Sequence, residues 1–181
     1  MRHFRDLSFF TQKHPGLQEF IRTLSGHLDA KKYEDAKWTL LNAQNLYPLD
    51  PASRYCAGLF YLKYNQNLVL ARRHFDEALT QCLRLPSDSN RDDFALDIAA
   101  YLAVCDILSI RAGKKTHSTA HDDLRTTFSR VAPRHAPSYG EITALRCLAV
   151  SKEMDIDVLH SRVIKVLQKT LRPDTALAPQ K

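Results

Sequence analysis

Ala36-Lys37-Trp38-Thr39-Leu40-Leu41-Asn42-Ala43 and Ala71-Arg72-Arg73-His74-Phe75-Asp76-Glu77-Ala78 share one arrangement. Small, large and small residues stand at Ala36, Leu40 and Ala43, and again 35 residues later at Ala71, Phe75 and Ala78. Spacings of four and three place each set on one face of a helix. Small residues on that face let helix axes approach closely, and the large residue between them fills the space that remains. Self-similarity at this period marks helical hairpins stacked on one another, because a single hairpin cannot cover its own apolar face.

Other positions extend the pattern. Gly58 and Tyr61 precede Ala71, Phe75 and Ala78 in the second unit, and Phe20 precedes Ala36, Leu40, Ala43 and Pro48 in the first. In these residues the chain resembles the tetratricopeptide-repeat family over residues 17–86. The second unit departs at Arg54, Ala57 and Pro86, where the family carries Trp, Leu and an earlier Pro. The first departs at Leu24 and His27, where it carries Gly and Tyr. Beyond residue 90 only the organisation in helical pairs is similar. The resemblance implies an all-α fold of stacked antiparallel helical hairpins, a tetratricopeptide-like solenoid. It also implies a protein-binding adaptor or scaffold without catalysis of its own.

Working outward, turn and capping residues divide the chain. Asp50-Pro51 opens a helix, since Asp caps well and Pro suits the first turn. Asn65-Gln66-Asn67 is a polar turn, Ser87 to Asp93 a linker, and Gly113 fits a helix C-terminus. Ser138-Tyr139-Gly140-Glu141 has the spacing of a capping box. The expected elements are an N-terminal helix near residues 3–12 and four pairs. These run over 17–30 with 33–46, 51–65 with 67–84, 91–112 with 119–131, and 138–153 with 155–171. Residues 1–173 are read as one domain ending in a basic capping helix, and 174–181 as a flexible tail.

Composition narrows the function. Of 181 residues 44% are hydrophobic and 25% charged, which is a globular balance. The five glycines, at 16, 26, 58, 113 and 140, lie too far apart to build a dinucleotide fingerprint or a phosphate-cradling loop. Cys56, Cys82, Cys105 and Cys147 stand singly in apolar helical contexts and read as buried reduced thiols rather than metal ligands or disulfides. His117 and His121 have a spacing that two ligands on one helix could use. They fall at a loop-to-helix junction with no Glu between them, so no metal or cofactor is expected. No apolar run has the length of a membrane span and no secretory signal is read at the N-terminus, which makes an intracellular, cytoplasmic location the expectation.

Stacked pairs would line a concave face with their first helices. Spacing assigns Ile21 and Leu28 to it from the first pair, Tyr55, Leu59 and Leu62 from the second, and Phe94 and Tyr101 from the third. An apolar face with aromatic anchors suits a peptide or protein segment. The positions at which related domains clamp acidic tails hold Ile21, Ser25, Cys56 and Asp97 here, and a carboxylate clamp is not expected. In size and layout the chain is also similar to the repeat-built chaperones of type III secretion translocators, an alternative reading. A second alternative comes from charge. Residues 101–181 carry 13 Lys and Arg against 8 Asp and Glu, and Arg162, Lys165, Lys169 and Arg172 form one stripe on the last helix. That stripe could meet nucleic acid or an acidic partner, although nucleic acid is the less expected of the two.

Overall fold

The computed structural model describes residues 15–131, 145, 148–151 and 155–171, apart from the side chains of 15 and 169–171. Every regular element among them is an α-helix, and no strand occurs. The chain clusters into two compact units, Met1–Arg91 and Asp92–Lys181, where the sequence suggested a single run to residue 173. The expected helix at 3–12, the capping box at 138–141, Cys147 and the tail at 174–181 lie outside the described residues.

The first unit contains α1 (Pro15–Asp29), α2 (Tyr33–Leu46), α3 (Pro51–Lys63) and α4 (Leu68–Cys82). Neighbours in sequence pack as neighbours in space, α1 on α2, α2 on α3 and α3 on α4. Short connections force this, because three- or four-residue links leave a following helix little choice but to fold back. Leu17, Ile21, Leu24 and Leu28 form the buried stripe of α1, and Ala36, Leu40 and Ala43 that of α2. The start of α3 is fixed by Asp50, whose Oδ1 accepts from the Ala52 N–H at 2.8 Å, with Pro51 in the first turn. At the start of α4 the Asn67 side chain accepts from the Leu70 N–H at 3.1 Å.

The small residue at Gly58 has a direct physical cause. A Cβ placed on Gly58 would lie 2.6 Å from the Phe75 ring, so only glycine lets α3 sit this close to the large residue of α4. Phe75 is fully buried and meets Tyr55 edge-on, with ring centroids 5.9 Å apart. Apart from Arg54, Tyr61 and Lys63, every residue of α3 is buried. A helix covered on all sides is a central helix rather than a surface one.

The second unit holds most of α5 (Ser89–Arg111), all of α6 (His117–Val131) and α7 (Ile156–Leu171). Between residues 94 and 107 of α5 only Asp97 escapes burial. That helix ends as the glycine suggested: Gly113 has φ +66, its N–H donates to Ile110 O at 2.9 Å, and the Lys114 N–H donates to Ser109 O at 2.9 Å. The Arg111 guanidinium holds the carbonyls of Leu148 and Ala149, at 2.7 and 3.1 Å, and the Ser151 hydroxyl at 3.0 Å. The Leu148 carbonyl also accepts from the Ser151 N–H and hydroxyl, at 3.2 and 2.9 Å. Asp155 opens α7 by accepting from the N–H groups of Asp157 and Val158.

Candidate interaction surface

The seven residues assigned to a groove are all buried. In the first unit these are Ile21, Leu28, Tyr55, Leu59 and Leu62, and in the second Phe94 and Tyr101. Their side chains fill the interior in this conformation. For the residues on α3 and α5 the reason is that these helices are buried on nearly every side, so a spacing rule finds an inward face on them whichever direction it starts from. Of the basic stripe, Arg162 and Lys165 are exposed on α7, whereas the Lys169 side chain and Arg172 lie outside the described residues.

Polar clusters inside the units serve packing. Glu77 on α4 receives Arg54 of α3 at 3.2 Å and Arg73 of its own helix at 3.0 Å, with His74 Nδ1 at 3.7 Å. His74 is stacked on Tyr61 with ring planes 6° apart. Burial is the main cause of a lowered His74 pKa; Glu77 opposes it, and Arg54 and Arg73 add to it. In the second unit Lys115 joins the buried carboxylate of Asp106, at 2.6 Å, to Asp123, tying the α5–α6 turn to both helices. His160 of α7 stacks on Tyr101 with centroids 3.9 Å apart and lies 3.1 Å from Asp97 Oδ1. His160 itself is buried.

Cys56, Cys82 and Cys105 are buried free thiols, and burial pushes the Cys56 thiol up, away from the reactive thiolate. His121 Nδ1 lies 3.4 Å from its neighbour Asp122. Among the described residues no group of three or more His, Cys, Asp or Glu is placed to hold a metal ion. No described helix is long and apolar enough to cross a membrane.

What the structure does present is the outer face of α2. Trp38 is 64% exposed, Leu41 39% and Leu46 69%, and Leu49 just beyond the helix is 74% exposed. Trp38 and Leu41 lie three residues apart on the face opposite Ala36, Leu40 and Ala43, flanked by exposed Glu34, Asn42 and Asn45. Beside the start of the helix, Tyr33 meets Tyr64 at 5.8 Å and Tyr64 stacks on Phe60 at 6.2 Å. Most large apolar residues of the unit are sunk in its core, so an indole left in water is conspicuous. Sequence reasoning missed this face although its signal was there, since the spacing that buries Ala36, Leu40 and Ala43 turns Trp38 and Leu41 outward. Comparison with protein-family models, with curated proteins and with solved structures finds no match for this chain.

Proposed function

We propose that this chain is a protein-interaction module built from tetratricopeptide-like helical hairpins, and that the outer face of α2 is its docking surface. One observation carries the reading: Trp38 and Leu41 stand in solvent side by side on a helix whose other face is fully packed. Trp is the side chain most often found at the energetic centre of protein interfaces, because it covers a large area with few rotatable bonds. Withdrawing the exposed part of the indole from water is worth about 2–4 kcal/mol, taking roughly 25 cal/mol per Å². This differs from groove binding by the first helices of each pair, whose residues are already occupied in the core.

The experiment is affinity capture with three forms of the protein: native, Trp38→Glu, and Val69→Glu as a control at an exposed residue of α4. Loss of the captured protein with Trp38→Glu and its retention with Val69→Glu is the expected result. Equal capture by all three would remove α2 from the interaction.

A further inference from the structure

We propose that the cluster around Glu77 is an acid-operated switch in the first unit: a protonated His74 takes the Glu77 carboxylate, and Arg54 is left to Gln44. The ionic tie between α3 and α4 is thereby exchanged for one within α4. The switch does not depend on the docking face of α2.

The geometry already holds the parts of both arrangements. Glu77 Oε1 accepts from Arg73 Nε at 3.0 Å, one turn away on the same helix. Glu77 Oε2 is buried and accepts no hydrogen bond, although Arg54 Nη1 lies 3.2 Å away and His74 Nδ1 3.7 Å away. The hydrogen bond of Arg54 Nη1 goes instead to Gln44 Oε1 on α2, at 3.0 Å. His74 Nδ1 is buried too and makes no hydrogen bond, its ring lying flat on Tyr61 of α3 with centroids 5.3 Å apart. A buried carboxylate oxygen and a buried ring nitrogen thus stand close together without the hydrogen that would join them. Buried polar atoms in that state are rare.

Protonation supplies that hydrogen. An imidazolium carries a hydrogen on both ring nitrogens, so Nδ1 becomes a donor whichever tautomer preceded it, and the proton comes from solvent. Three cations then compete for one carboxylate: Arg54 of α3, and Arg73 and His74 of α4, with Tyr61 stacked on the ring and Gln44 of α2 bonded to Arg54. Arg73 holds the other oxygen and stays. Arg54 yields, because it already has a second acceptor in Gln44 and because it repels the new charge. Burial opposes the charged ring more than Glu77 favours it, and Arg54 and Arg73 add to the opposition. The switch therefore operates below the ordinary histidine value of 6.5.

The test follows the His74 imidazole of the full chain by nuclear magnetic resonance from about pH 8 to about pH 5, a range in which carboxylates ordinarily stay ionised. At both ends of the range the coupling between Arg54 and Glu77 is measured by a double-mutant cycle of Arg54→Met and Glu77→Gln in urea unfolding. The coupling should be present at the upper pH and lost at the lower. In a His74→Phe background, which keeps a ring on Tyr61 but has no donor, it should be the same at both. The His74 midpoint should move down in Glu77→Gln, which loses the favouring charge, and up in Arg54→Met, which loses an opposing one. A coupling equal at the two ends in the native background, or lost equally in His74→Phe, overturns the switch. So does a midpoint that neither replacement moves, or one that falls among the carboxylates, where Glu77 would take the proton first. Should His74→Phe fail to fold, the two midpoint shifts decide alone.

Discussion

Replacing Gly58 with alanine sets two effects of opposite sign against each other. On propensity alone the change favours the helix, since alanine is better than glycine by about 1 kcal/mol inside a helix. Packing says the reverse. The new methyl would stand 2.6, 2.7 and 2.9 Å from three atoms of the Phe75 ring, closer than nonbonded carbons tolerate. These include the ring's root as well as an outer edge, so rotating the side chain does not clear them. Phe75 itself is fully buried beside Tyr55, with no empty side to retreat to. Overpacking of this kind costs about 1–3 kcal/mol or more. Net destabilisation of up to about 2 kcal/mol is the expectation after the propensity gain is subtracted. Urea unfolding followed by helical circular dichroism on native, Gly58→Ala, Phe75→Ala and the double variant measures it. Phe75→Ala should lose about 3–5 kcal/mol as a core aromatic truncation. The double variant should lose less than the sum of the two, because the methyl at 58 clashes with nothing once the ring is gone. A Gly58→Ala variant more stable than native, or strict additivity, would refute the contact and with it the physical basis of the close approach of α3 to Phe75.

Three other outcomes follow from local geometry. Gln66 has φ +54 at the turn between α3 and α4, a conformation that glycine adopts without strain, so Gln66→Gly should stabilise the protein by about 0.5–1 kcal/mol in the same urea assay. His74 has a lowered pKa because it is desolvated, so the unfolded chain takes up a proton before the folded one does. Its stabilising effect is complete above the ordinary value of 6.5 and is lost as pH falls below it, and unfolding measured across that range should show a weaker pH dependence in His74→Gln. Arg111→Ala removes the guanidinium donors from the carbonyls of Leu148 and Ala149, of which Leu148 keeps the Ser151 N–H and hydroxyl; hydrogen exchange around residues 148–151 should accelerate, with a stability loss of about 1–3 kcal/mol.

Much of the helical order was legible in the sequence because its signals are local. The capping geometry at Asp50-Pro51 and Gly113 depends on a few neighbouring residues, and the observed ends there agree with the expected ones. Lys31 shows where such signals fail. It ends α1 at φ +56, a place where glycine would have announced the stop. The expected α1 end at residue 30 still fell one residue from the observed Asp29, since Tyr33 and its neighbours restart the pattern. Facing was harder to read than position. On α2 the buried and exposed residues alternate with helical period, so Ala36, Leu40 and Ala43 separate cleanly from Trp38 and Leu41. On α5 the run from Phe94 to Ile107 is nearly continuous in apolar residues, and no period distinguishes a groove from a core. Tyr101 was therefore placed on an open face when it is stacked on His160 inside the second unit, a contact made across 59 positions of sequence. The pairing of Arg111 with residues 148–151 is of the same kind, set by tertiary packing and invisible to spacing.

Site-specific photo-crosslinking tests the central claim most directly. A photoreactive amino acid is placed at Asn42, on the exposed face of α2, at Val69 on α4, or at Arg162 on α7, all three positions being exposed. The account predicts one dominant protein product from position 42 that vanishes when Trp38→Glu is added and is absent from positions 69 and 162. A product formed from position 162 with none from position 42, or one from position 42 that survives Trp38→Glu, would contradict it.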